Sequence, residues 1–142
     1  MIAKYLAGNI SILDKTGSWD ESIVLASQVL LDKKIIKESY VQAMIDNVNK
    51  NGSYMVIVPQ IALAHAREDK GVLKTGLSLL KLNRPVMFPE EKLVSVIMVL
   101  AAKEEKNHLE LMSELADIFI DDKKVKNISL SSSIEIIQEQ FR

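Results

Sequence analysis

The sequence predicts an α/β fold, a single domain in which a mixed central sheet is flanked by helices. Three observations carry that expectation. Two amphipathic segments come first, a cluster of short β-branched and apolar runs follows, and helical spacing then returns. Among the runs, Leu93 to Ala102 is apolar at nearly every position. A strand reads that way when both of its faces are covered, as in the middle of an α/β sheet.

The elements follow in order. In "GSWDESIVLASQVLLDKK", Ser18 and Glu21 have the spacing of a capping box, and Ile23, Ala26, Val29 and Leu30 then recur at helical spacing. In "KESYVQAMIDNVNKNG", Val41, Met44, Ile45 and Val48 mark the apolar face of a second helix, and Gly52 is its natural stop. "YMVIVP" is a short strand ended by Pro59, and "IALAHA" alternates Ile61, Leu63 and His65 on one strand face. "REDKG" is a charged turn. "TGLSLLKL" and "PVMF" read as two strand pieces separated by Asn83 and Arg84. After the apolar strand, "NHLELMSELADIFI" is a helix with Asn107 as its N-cap and His108, Met112, Leu115 and Phe119 on one face. "SSSIEIIQEQF" closes the chain with another cap, Ser132 with Glu135, and apolar Ile134, Ile137 and Phe141.

A chain of 142 residues, 48% hydrophobic and 26% charged, is of ordinary size for one globular domain. No repeat, low-complexity segment or linker divides it, so residues 1–142 are expected to form one domain. A net charge of −1 gives no electrostatic drive toward nucleic acid or an acidic membrane, and 5% aromatics leave little for base stacking. The absence of cysteine excludes disulfides, cysteine zinc sites and thiol catalysis. The N-terminal stretch has no signal-peptide core, and the longest apolar stretch, Val96 to Ala102, is too short to span a bilayer. A cytoplasmic location is expected, with no nucleic-acid partner and no direct membrane insertion.

Chemistry must then rest on the two histidines. His65 closes an apolar strand, where it is a satisfied core residue, a metal ligand or a nucleophile. His108 falls in the first turn of a helix, where a polar residue usually has no catalytic meaning. Their placement together favours more. A helix N-terminus offers free N–H groups and a positive dipole end to an anion such as phosphate. Arg67 adds a cation with a fork of donors two residues after His65. A histidine with a pKa near ~6.5 is largely neutral at pH 7, and therefore nucleophilic. Zinc would need a third ligand, and the sequence has no H-x-H or H-E-x-x-H spacing. A serine triad has no G-x-S-x-G elbow to stand on.

"IALAHAREDKGVLKTGLSLLKL" resembles the active-site segment of the mannitol/fructose-type enzyme IIA domains of the bacterial phosphoenolpyruvate-dependent sugar phosphotransferase system, and looks closest to the ascorbate-type branch. The likeness runs from Glu38 to Phe119, through "ESYVQAMIDNVN", "PVMF", "VSVIMVLAA" and "NHLELMSELADIF". H-A-R, T-G-L-S-L and N-H-L-x-x-L at these separations are specific together.

The resemblance implies a phosphocarrier. His65 matches the histidine that accepts a phosphoryl group on Nε2 from phospho-HPr and passes it to a cysteine of a cognate enzyme IIB, which serves a membrane enzyme IIC. His108 matches the second active-site histidine, which supports the phosphoryl group. Arg67 matches the arginine of the H-A-R motif and would pair with phosphoryl oxygens, and Thr75 would add a hydroxyl donor from the neighbouring strand. Two positions depart from the family. Ala64 stands where many relatives have proline, and Asn47 stands where the mannitol branch has an arginine that supports the phosphoryl group, so Arg67 would supply the cation. No cofactor or metal is implied. The same phosphorylatable fold also suits a regulatory protein that binds a transcriptional or metabolic regulator in one phosphorylation state.

Overall fold

The computed structural model describes Met1–Arg142. Helix α1 (Ile2–Leu6) and strand β1 (Ile10–Leu13) precede the two expected helices, α2 (Trp19–Asp32) and α3 (Glu38–Asn51). Strands β2 (Val56–Val58) and β3 (Gln60–Ala64), a 3-10 turn (Glu68–Lys70), and strands β4 (Gly76–Phe88) and β5 (Lys92–Ala101) follow. Helices α4 (Glu105–Phe119), α5 (Asp122–Leu130) and α6 (Ile134–Glu139) complete the chain. No helix is long and apolar enough to cross a membrane.

The five strands form one mixed sheet in the order β1-β4-β5-β3-β2. β1 runs parallel to β4 and β3 parallel to β5, whereas β4 with β5 and β2 with β3 are antiparallel. β5 lies in the middle and is buried throughout from Val94 to Ala101, with Ser95 the most exposed of these residues at 4%. Its continuous apolar reading has this cause: one side chain in two faces each helix layer. The alternation in β3 sends Ala62 and Ala64 to a core shared with Ile23 and Leu30 of α2 and Met44 and Val48 of α3. Ile61 and Leu63 go to the opposite core, with Leu6 of α1, Leu111 and Leu115 of α4, Ile128 of α5 and Ile137 of α6.

Local chemistry sets the helix ends. The Ser18 hydroxyl accepts from the Glu21 N–H at 3.3 Å, so the donor-to-hydroxyl half of the expected box is formed. Ser18→Ala is expected to cost about 1 kcal/mol, read as a lower midpoint of urea unfolding. Gly52 ends α3 at φ 82, a backbone region that a side chain disfavours.

Several expectations are corrected. "TGLSLLKL" and "PVMF" are one strand, β4, which runs through Asn83, Arg84 and Pro85. The pairing with β5 shifts between Lys81 and Val86, and the Arg84 N–H bonds to the Asp14 carbonyl instead. Pro85, with no N–H to donate, is tolerated in this irregular stretch. Asn107 does not cap α4: the N-cap is Glu104, and the His108 N–H donates to its carbonyl, closing the first helical hydrogen bond. The cap of α6 is Ser133, whose hydroxyl accepts from the Ile136 N–H, rather than Ser132. Strand β3 stops at Ala64, one residue short of His65.

Candidate functional site

The parallel strands β3 and β5 end together, and chain segments diverge there: β3 into His65, β5 into the loop that starts α4. A sheet end where strands finish and helices begin is where open α/β sheets place ligands. Here Asn47, Tyr54, His65, Ala66, Arg67, Glu68, Glu105 and His108 line a groove of about 430 Å³. Three separate stretches of chain thus bring the two histidines to one place, their ring centroids 5.7 Å apart.

His65 is held by its own strand. Its Nδ1 lies 2.9 Å from the Leu63 carbonyl oxygen. A carbonyl can only accept, so the proton of the neutral ring is on Nδ1 and the lone pair is on Nε2. Burial is the main cause that pushes the His65 pKa below the ordinary histidine value, and nearby His108 acts in the same direction; the Leu63 carbonyl opposes both. His65 is therefore neutral at pH 7, with Nε2 free to react. An NMR titration is expected to show it protonating below ~6.5, the value of a histidine in a peptide. The unfolded chain binds this proton more readily, so the neutral site's contribution to stability is complete above ~6.5 and is lost as pH falls through the folded pKa. A midpoint at or above the peptide value would contradict this assignment.

The other expected residues take different positions. His108 reaches the groove from the first turn of α4, beside Glu105. Arg67 lines the groove, but its guanidinium bonds to Asp69 at 2.6 Å and its side chain is 76% exposed. To hold an anion on His65 it must exchange one carboxylate for that anion, and an exposed pair of this kind is weak enough to exchange. Asn47 donates through Nδ2 to the His65 carbonyl oxygen at 3.4 Å. Thr75 lies one residue before β4 and outside the groove lining; it accepts from the Lys103 N–H at 3.0 Å and donates to Asn107 Oδ1 at 3.4 Å. It braces the loop that delivers His108.

Two tyrosines escaped the sequence reading. Tyr54 sets its ring edge-on to His65, with centroids 6.0 Å apart and planes at 89°. Tyr40, 1% exposed, bonds to the backbone on both sides of the strand ends. Spacing marks neither for a role, although Tyr40 lies in the "ESYVQAMIDNVN" segment of the resemblance; the fold brings both to His65. No three His, Asp or Glu side chains converge to hold a metal ion.

The chain matches the family model described as "Phosphoenolpyruvate-dependent sugar phosphotransferase system, EIIA 2" over residues 6–141. It is 32% identical over 126 residues to a mannitol-specific cryptic phosphotransferase enzyme IIA component of Escherichia coli strain K12, covering 88% of this chain and 86% of the relative. It is 30% identical over 117 residues to an ascorbate-specific phosphotransferase system EIIA component of Salmonella choleraesuis, covering 80% and 76%. The solution structure of a mannitol-specific cryptic enzyme IIA from Escherichia coli superposes with a TM-score of 0.92 at 29% identity, over 99% of this chain and 98% of that one. A complex of the mannitol enzyme IIA with phosphorylated enzyme IIB from Escherichia coli superposes at 0.80 with 25% identity, over 95% and 94%.

Proposed function

The chain belongs to the EIIA 2 family of the phosphoenolpyruvate-dependent sugar phosphotransferase system, a transferase system, and we propose from that premise that it carries a phosphoryl group on Nε2 of His65, accepted from phospho-HPr and passed to a cysteine of a cognate enzyme IIB. The observation that carries this reading is the bond from Nδ1 to the Leu63 carbonyl, which leaves Nε2 as the basic nitrogen in a groove shared with His108.

The two transfers balance without a proton entering or leaving His65. The Nε2 lone pair attacks phosphorus in line, the N–P bond of phospho-HPr breaks, and its electron pair stays with the HPr histidine. His65 now bears phosphorus on Nε2 and hydrogen on Nδ1, so the ring gains positive charge. The Leu63 carbonyl accepts from that charged ring, and the bond is strengthened. In the second step a thiolate sulfur attacks phosphorus, the Nε2–P bond breaks, and the original tautomer of His65 returns. A cationic ring is a good leaving group, as a relay requires.

The phosphoryl oxygens carry about two negative charges. His108 and the first N–H groups of α4 offer donors to them, and Arg67 adds a cation when it leaves Asp69. Positioned donors of this kind supply most of what phosphoryl transfer needs from a protein. Glu68 and Glu105 also line the groove. Their charges oppose a dianion and keep the group transferable rather than stored. The complex of a relative with phosphorylated enzyme IIB makes a IIB protein the expected acceptor, and transient exchange fits a modest interface.

The test is a reconstituted relay of labelled phosphoenolpyruvate, enzyme I, HPr and this chain. Acid-labile label is expected on the chain and is then expected to move to a cognate IIB. A chain that stays unlabelled while a control IIA protein is labelled in the same mixture would overturn the reading.

A further inference from the structure

We propose that Tyr40 is a positioning residue for the transfer: its hydroxyl is inserted as a rung between β3 and β5 and holds the backbone on which His65 is aimed. The inference rests on His65 as the acceptor.

The register shows where the rung would be. β3 and β5 pair in parallel up to Ala64 with Val99. The Leu63 N–H points the other way, to the Met55 carbonyl, so Ala62, Ala64 and Ala66 present their polar groups toward β5. One step beyond the last pair, a parallel ladder would join the Ala66 N–H to the Leu100 carbonyl. Instead each bonds to Tyr40. The Ala66 N–H donates to the Tyr40 hydroxyl oxygen at 3.0 Å, and that hydroxyl donates to the Leu100 carbonyl at 2.6 Å. The Ala66 carbonyl lies 3.3 Å from the same oxygen.

A direct rung would span about 2.9 Å. Two bonds in series through one oxygen keep the strand ends apart by more than that, at the level of His65. The ladder therefore opens without leaving buried polar groups unpaired. Burial pushes the Tyr40 hydroxyl up to about 12, so it stays protonated and can donate and accept at once. Tyr40 comes from the first turn of α3, which also carries Asn47, the donor to the His65 carbonyl. One helix thus holds both polar groups of the peptide that follows the His65 α-carbon, its carbonyl through Asn47 and its N–H through Tyr40.

Tyr40→Phe keeps the ring and removes only the rung. Either the strands close directly or the two groups lose their partner; in both cases the His65 backbone moves. Misplacing a reacting group by about 1 Å costs on the order of 10²-fold in rate. Acceptance from phospho-HPr is expected to fall by about 10- to 100-fold in the folded variant. The ¹⁵N spectrum of His65 is expected to change from the single Nδ1–H tautomer to a mixture. A purely structural tyrosine would lower the unfolding temperature and leave tautomer and rate unchanged, and that result would overturn the proposal. In the wild type, the Ala66 amide is expected to exchange slowly with solvent; fast exchange would overturn it whether or not the variant folds. Absence of phosphoryl transfer in the wild type would instead sink the carrier reading, with the Ala66 exchange and the His65 tautomer still reporting on the clamp.

Discussion

His65→Ala is expected to abolish phosphoryl acceptance, a loss of at least ~10⁴-fold, because no other group in the groove can replace the nucleophilic nitrogen. His108 is the nearest imidazole, 5.7 Å away between ring centroids. It lacks the anchor that fixes the tautomer of His65, whose Nδ1 is bound to the Leu63 carbonyl. The variant should fold, since His65 belongs to neither hydrophobic core and its ring meets the surface at the end of β3. A folded His65→Ala protein that still takes label from phospho-HPr would place the acceptor elsewhere.

The second large effect is expected at His108. His108→Ala leaves the proposed acceptor intact and removes the donor that the proposed mechanism offers to the incoming phosphoryl oxygens. Loss of one such donor typically lowers the rate by about 10²- to 10³-fold. Label should still arrive on His65, more slowly, and His108→Gln, which keeps an N–H donor, should recover part of the rate. Rapid-quench measurement of transfer from phospho-HPr separates these outcomes. A His108→Ala rate equal to that of the wild type would remove His108 from the mechanism.

The parts of the fold legible in the sequence were those with strong periodicity. α2 carries its cap and its apolar spacing together, α3 ends on Gly52, and β5 is buried on both faces. The parts that were missed are short or polar. α1 has only five residues and β1 only four, too few for a period to emerge. α5, "DKKVKNISL", buries Ile128 and Ser129 and little else, so its apolar face is nearly invisible; the Asp121 side chain, accepting from the Lys123 and Lys124 N–H groups, was its one signal. The turn joining β4 to β5 was unmarked because Glu90 and Glu91 adopt positive φ where glycine or asparagine is usual.

The site divides in the same way. The H-A-R and N-H-L segments pointed to His65, Arg67 and His108, and the fold brings all three to one groove. Alternation along β3 also predicted the correct face for His65, the side on which α4 lies. What sequence spacing could not supply was the direction of each polar contact. Arg67 turns to Asp69, and Thr75 turns to Asn107 and Lys103. The carbonyl that selects the His65 tautomer and the tyrosine hydroxyl between two strands are backbone contacts, and residue identity alone carries no record of them.

The proposed relay requires phosphorus to be bound to Nε2 of His65. It is tested most directly by ¹H–¹⁵N and ³¹P NMR of the uniformly ¹⁵N-labelled chain, recorded after phosphorylation through enzyme I and HPr. One phosphorylated histidine, His65, is expected, with ³¹P–¹⁵N coupling at Nε2 and hydrogen retained on Nδ1. Phosphorus on Nδ1 of His65, or on His108, would contradict it.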